Sequence, residues 1–187
     1  ISDECYSYFL HEKKKFFSAI ELGKNNKNVI VVNSLSKNFG ISGWRIGYVL
    51  SHEQNIKKLI LLNQQIITCC PTILQSYVAE NYFKLKKQTN KQIKNIVKKR
   101  IIIVNYLKEN KFEFLNGDCT FYIFIKSKVY KNLDKICEKI LHNHNISVVP
   151  GQAYGANTKN FIRLSIGVEE TKKIISALKK IKKYFVN

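Results

Sequence analysis

Four residues with chemical potential stand close together in "VVNSLSKNFGISGWRIGYVL", residues 31–50: Ser34, Ser36, Lys37 and Arg45. A lysine amine attacks an electrophile only after losing its proton, which takes partial burial or a neighbouring positive charge. Arg45 is the candidate to supply that charge. The serine hydroxyls and the surrounding amides are donors for an anion, and arginine grips phosphate through two parallel hydrogen bonds. The segment reads as an amine beside a phosphate site. A surface lysine in a tight loop is the ordinary alternative, and residue types alone leave both open.

A second group lies upstream. "SDECY" sets Asp3 and Tyr6 three residues apart, with Asp3 34 residues before Lys37. An acid, a phenol, an amine and a phosphate cradle together match one cofactor, pyridoxal 5'-phosphate. Its pyridine nitrogen wants a carboxylate, its phenolic oxygen a donor, its aldehyde a lysine, and its phosphate a cationic pocket. Taken alone, Asp3 reads as a solvated loop acid.

The elements that must position these residues follow from hydrophobic periodicity. "VIVVN" at 29–33 is a β-branched apolar run and predicts a buried strand; "RIGYVLS" at 45–51 predicts another. Between them, 34–44 reads as a glycine-punctuated loop just beyond a strand, where open α/β sheets place their ligands. Ile56, Leu59, Ile60 and Ile67 recur at helical spacing over 53–67, and Pro71 opens another helical segment, "TILQSYVAENYF". A long amphipathic helix is expected over 84–109, its lysines forming the solvated side. Beyond it, "FEFLN" and "CTFYIFIK" predict two strands joined by a turn. "LDKICEKILHNH" then predicts a helix, "ISVVP" a strand, "GQAYGANTKN" a loop, "FIRLSIG" a strand and "EETKKIISALKKIKKYF" a closing helix. "SDECY" has no preceding element to place it. The expected fold class is α/β, with residues 1–83 forming part of a larger α/β domain, 84–110 a linking helix, and 111–187 a small α+β domain.

Composition narrows the function classes. A formal net charge of +19, from 32 Lys+Arg against 13 Asp+Glu, raises the question of a nucleic-acid surface. The charge is spread along the chain and carried almost wholly by lysine, which fits compositional bias and a solvated face better, so no nucleic-acid partner is expected. No apolar run approaches the ~20 residues of a membrane span, so no membrane partner is expected either. The five cysteines show no zinc-ligand spacing and are expected to be free thiols in a reducing compartment, the cytoplasm; no metal is expected. Methionine is absent, so the chain is expected to begin downstream of a translation start.

Four segments together carry a family resemblance. "SLSKNFGISGWRIG" resembles the cofactor-attachment motif of class I/II pyridoxal-phosphate aminotransferases, in the fold type I superfamily. "SDECY" resembles that family's D-E-x-Y element, "NGDCTFYIF" its small-domain strand motif, and "VVPGQAYG" followed by "FIRLSIG" its P-G-x-x-F-G loop and R-L-S strand. The order matches the family and the segments span nearly the whole chain. Tyr154 departs mildly, standing where phenylalanine is commoner.

The resemblance implies a role for each matched residue. Lys37 takes the cofactor aldehyde and shuttles a proton between the substrate α-carbon and the cofactor. Asp3 pairs with the pyridine nitrogen and Tyr6 hydrogen-bonds the ring oxygen. Ser34 and Arg45 bind the phosphate, with Ser36 a third contact. Arg163 clamps the substrate α-carboxylate, a bidentate geometry lysine cannot reproduce. Arg45 and Arg163 are two of only three arginines, and both fall on motif positions. The resemblance further implies that an N-terminal half supplies the remaining cofactor walls. The full-length protein is expected to be a homodimer moving an amino group between an amino acid and a 2-oxo acid. The isolated fragment is expected to be inactive. The same superfamily includes carbon–sulfur lyases and aminocyclopropane-carboxylate synthase-like enzymes, and aminotransferase-like sensing domains of transcription regulators; these are the alternative readings.

Overall fold

The structure, a computed structural model, describes residues 1–10, 14–23 and 26–186. They divide into two compact units, Ile1–Lys94 and Asn95–Asn187.

The first unit is built on a three-stranded sheet of order β1-β2-β3. β1 (Ser2–Asp3) runs parallel to β2 (Ile30–Ser34), with Asp3 opposite Val32. β2 passes into a single helical turn, α1 (Leu35–Asn38), and β3 (Gly47–Ser51) returns antiparallel, with Ser34 opposite Gly47. The β-branched residues that favour β2 alternate across the sheet, so Val31 and Asn33 are buried on one face. α2 (Glu53–Ile66) follows, its first turn capped by His52, whose Nδ1 accepts the Gln54 N–H at 3.2 Å. Leu35, Phe39, Ile46 and Val78 form the core of this unit, with Tyr8, Trp44, Tyr82 and Leu85 packed on it. Burying each large side chain contributes about 1.5–3 kcal/mol, so this small cluster fixes the α1 turn beneath Lys37.

α3 (Thr72–Glu109) contributes to both units. The second unit adds an all-antiparallel sheet of order β4-β5-β7-β6: β4 (Glu113–Leu115), β5 (Tyr122–Lys126), β6 (Val149–Pro150) and β7 (Phe161–Ser165). α4 (Asp134–His144) and α5 (Thr171–Ile181) complete it. Ile123 and Ile125 of β5, and Ile162 and Leu164 of β7, join Ile103, Leu107, Ile140, Leu178 and Phe185 in one core. By strand alternation Tyr122, Phe124 and Arg163 stand on the opposite face. Among the described residues no helix is long and apolar enough to cross a membrane.

Several elements differ from the sequence reading. The segment 34–44 is not a plain loop; it holds α1 and a 3-10 turn, Ser42–Trp44. The helices expected around 72–83 and 84–109 are one 38-residue helix, since neither Gly nor Pro interrupts that span. Ser2–Asp3, for which no strand was expected, pairs with β2. The strand expected from "ISVVP" shrinks to Val149–Pro150, and "GQAYGANTKN" folds into two 3-10 turns, Gly151–Tyr154 and Ala156–Thr158.

Candidate active site

β1 and β2 are parallel, so their carboxyl ends share one edge of the first sheet, and β3, running the other way, begins at that edge. Asp3 lies at the end of β1 and Tyr6 just beyond it. Ser34 ends β2, Ser36 and Lys37 sit in α1, and Arg45 leads into β3. Six of the seven expected site residues therefore gather at one sheet edge, the position where open α/β sheets bind ligands. Arg163 belongs to the second unit.

Local chemistry explains each placement. Ser34 keeps extended backbone angles and its Oγ accepts the Ser36 N–H at 3.2 Å, which caps the α1 turn. Leu35 donates its N–H to Ile46 O at 3.1 Å and is buried, as is Phe39, so Lys37 projects half-buried from a turn pinned on both sides. Arg45 adopts left-handed backbone angles (φ 56°, ψ 43°), and its Nη1 donates to Ser42 O at 3.0 Å. Its exposed guanidinium is thereby aimed by its own loop. Tyr6 precedes the Ser7–Phe9 3-10 turn and meets Phe9 edge-on, with ring centroids 5.9 Å apart. Asp3 is exposed, and its Oδ1 accepts the Cys5 N–H at 3.1 Å.

Cys5 reports on the electrostatics of this edge. Burial and the neighbouring Asp3 carboxylate push its thiol up to about 11, and the Lys37 ammonium acts in the opposite sense. Asp3 and Lys37 thus act on one thiol from opposite directions. A carboxylate, a phenol, two hydroxyls, an amine and a guanidinium at one edge are the complement that pyridoxal phosphate needs, so the donor set fits that cofactor. Among the described residues no group of three or more His, Cys, Asp or Glu is placed to hold a metal ion, and no disulfide joins the cysteines.

In the second unit, the Arg163 guanidinium lies 4.2 Å from the Tyr122 ring centroid and 4.8 Å from that of Tyr154. Tyr154 is held in turn against Phe124, edge-on at 5.2 Å. Contact with aromatic faces limits the swing of a guanidinium and partly desolvates it, which strengthens its hold on a carboxylate.

Three buried polar residues that hold the surrounding backbone carried no role in the sequence reading. Glu4 and Asn38, neighbours of Asp3 and Lys37, are both buried. The Asn38 side chain accepts the Tyr8 N–H at 3.4 Å and donates to Ser7 Oγ at 3.3 Å and Asn33 Oδ1 at 3.4 Å, so it ties α1 to the turn after Tyr6 and to β2. Arg100, the third arginine, is buried, and donates to Gly117 O and Tyr122 O, both at 2.7 Å. It fixes the β4–β5 turn that leads into the strand bearing Tyr122. Its position in the buried stripe of a helix was the one available signal, because an unpaired charge is rarely buried.

Comparison with known proteins identifies the family. The family model for aminotransferase class I and II matches residues 1–181. A (5-formylfuran-3-yl)methyl phosphate transaminase from Methanocaldococcus jannaschii is 31% identical over 186 residues, 98% of this chain and 49% of that protein. An aspartate aminotransferase from Sulfurisphaera tokodaii is 31% identical over 191 residues, 98% of this chain and 47% of its own length. A Methanococcus jannaschii crystal structure, reported as similar in its active site to kynurenine aminotransferases, superposes with a TM-score of 0.86 at 30% identity. It covers 98% of this chain and 49% of that one. The chain spans about half the length of the curated relatives it matches. Its fold is that of fold type I aminotransferases. The chain belongs to the aminotransferase class I and II family.

Proposed function

We propose that this chain is the carboxyl-terminal part of a pyridoxal-phosphate-dependent aminotransferase that moves an amino group from an amino acid to a 2-oxo acid. The observation that carries this reading is the gathering of Asp3, Tyr6, Ser34, Lys37 and Arg45 at one sheet edge, in a chain whose family match covers residues 1–181. In this reading residues 1–83 belong to the cofactor-binding large domain, 84–110 to a linking helix and 111–187 to the small domain. The full-length protein is a homodimer in this reading.

Pyridoxal phosphate supplies, when bound, an aldehyde and a ring that accepts electrons. Lys37 Nζ would hold the aldehyde until substrate arrives, and would then carry the proton between the substrate α-carbon and the cofactor. Asp3 holds a proton on the ring nitrogen by pairing with it. Tyr6 donates a hydrogen bond to the ring oxygen. Ser34 and Arg45 bind the phosphate, with Ser36 as a further contact. Arg163, which lies against the Tyr122 and Tyr154 rings, would bind the substrate α-carboxylate through two parallel hydrogen bonds.

The test is a panel of amino donors with 2-oxo acid acceptors on the full-length protein. The expected result is transfer of the amino group to the acceptor in a ping-pong pattern. Release of pyruvate and ammonia without transfer contradicts the reading.

A further inference from the structure

We propose that Glu4 is a positioning residue that sets both Asp3 and Tyr6. The proposal rests on the reading of Asp3 and Tyr6 as cofactor contacts. Glu4 stands between them in the chain, and by strand alternation its side chain faces away from that of Asp3. Asp3 is exposed, whereas Glu4 is only 7% exposed.

Every polar group of Glu4 is fastened. Its N–H donates to Val32 O at 2.8 Å, which continues the β1–β2 pairing one residue past Asp3. Its carbonyl accepts the Ser7 N–H at 3.0 Å, which closes the turn containing Tyr6. Its carboxylate accepts Ser18 Oγ–H at Oε2 and the Ala19 N–H at Oε1, both at 2.8 Å, and Ser2 Oγ–H at Oε1, at 3.3 Å. Ser18 is itself fixed, since it caps the Ala19–Leu22 turn and Glu21 closes the capping box.

The Glu4 backbone bonds to Val32 and Ser7 and its carboxylate bonds to Ser18 and Ala19 together hold the segment that runs from Asp3 into the Tyr6 turn. Buried hydrogen bonds to a charged acceptor are the strong kind, and losing the acceptor also strands the Ser18 and Ala19 donors. Glu4 touches neither cofactor nor substrate in this account; it acts through its two neighbours.

The experiment uses the full-length protein and pyridoxal phosphate as probe, with Glu4→Ala, Glu4→Gln, Ser18→Ala and Asp3→Asn. The readouts are the pH midpoint of the bound cofactor's absorbance, cofactor affinity, and the thermal midpoint. Glu4→Ala is expected to move the absorbance midpoint in the same direction as Asp3→Asn and to weaken cofactor affinity about tenfold. Glu4→Gln, which keeps one acceptor oxygen, is expected to restore part of both, and Ser18→Ala to reproduce a smaller part. If Glu4→Ala does not fold, Glu4→Gln and Ser18→Ala carry the test. Lowered thermal midpoints with an unmoved absorbance midpoint would show a purely structural residue and overturn the proposal. A wild-type protein that binds no pyridoxal phosphate overturns the underlying reading as well, so the two failures are distinguishable.

Discussion

Gly151 lies where the backbone leaves no room for a side chain, and Gly151→Ala puts that to a quantitative test. A Cβ built there overlaps the Thr158 carbonyl oxygen, stands 2.7 Å from Phe161 O and 3.0 Å from Phe161 Cβ. Two of these neighbours are backbone oxygens, so no rotamer change relieves the overlap. The turn is also cinched, because the single Thr158 Oγ1–H is shared between Gly151 O at 2.6 Å and Gly155 O at 2.8 Å. Overpacking that side chains can absorb costs about 1–3 kcal/mol, and a clash against fixed backbone belongs at the upper end, about 3 kcal/mol. The control in the same unit is Gly117→Ala, whose Cβ meets only Arg100 Nη2 at an ordinary 3.8 Å and which is expected to stay within about 0.5 kcal/mol of wild type. Urea unfolding followed by far-ultraviolet circular dichroism reads the difference as a midpoint drop of about 2 M for Gly151→Ala. Equal midpoints for the two variants would refute the packing argument and, with it, the placement of Tyr154 against Arg163.

Other consequences follow from single contacts. Arg100→Lys replaces a fork that reaches Gly117 O and Tyr122 O together with a point charge, and is expected to destabilise the protein by about 2 kcal/mol in the same urea assay. Burial, then Asp134 and Glu138, push the Cys137 thiol from its ordinary 9.0 up to about 11. Because the folded-state value is the higher one, its contribution to stability is fully present below pH 9 and is lost as pH rises toward 11. Wild-type stability should therefore fall more steeply across that window than stability of Cys137→Ala. Arg163→Lys keeps the charge but loses the planar fork held against Tyr122 and Tyr154. In the full-length protein it is expected to raise KM for the amino donor about 10–100-fold with little change in thermal midpoint.

Much of this was readable in the residues. Strand β2 announced itself as "VIVVN", and the apolar spacing of 53–67 matched α2 to within a residue. Lys37 and Arg45 stood out as candidates because an amine and a guanidinium fall in one short connection between two paired strands. The helical turn holding Lys37 was not visible: α1 is four residues long, too short to show a period, and tertiary burial of Leu35 and Phe39 fixes it. The continuity of α3 was missed because the texture of the sequence changes from mixed to lysine-rich near residue 84 while the backbone pattern does not. Glu4 and Asn38 gave no signal at all. For each, two of the three side-chain partners lie 14 to 31 positions away, and only the fold brings those partners to it.

The central claim is that Lys37 carries the cofactor in a chain with lysines along most of its length. The most direct measurement is borohydride reduction of the full-length protein loaded with pyridoxal phosphate, followed by peptide mapping by mass spectrometry. The account predicts a phosphopyridoxyl group on the peptide containing Lys37, and its loss together with the cofactor's visible absorbance in Lys37→Ala. A label on a different lysine, or unchanged absorbance in a folded Lys37→Ala variant, contradicts it.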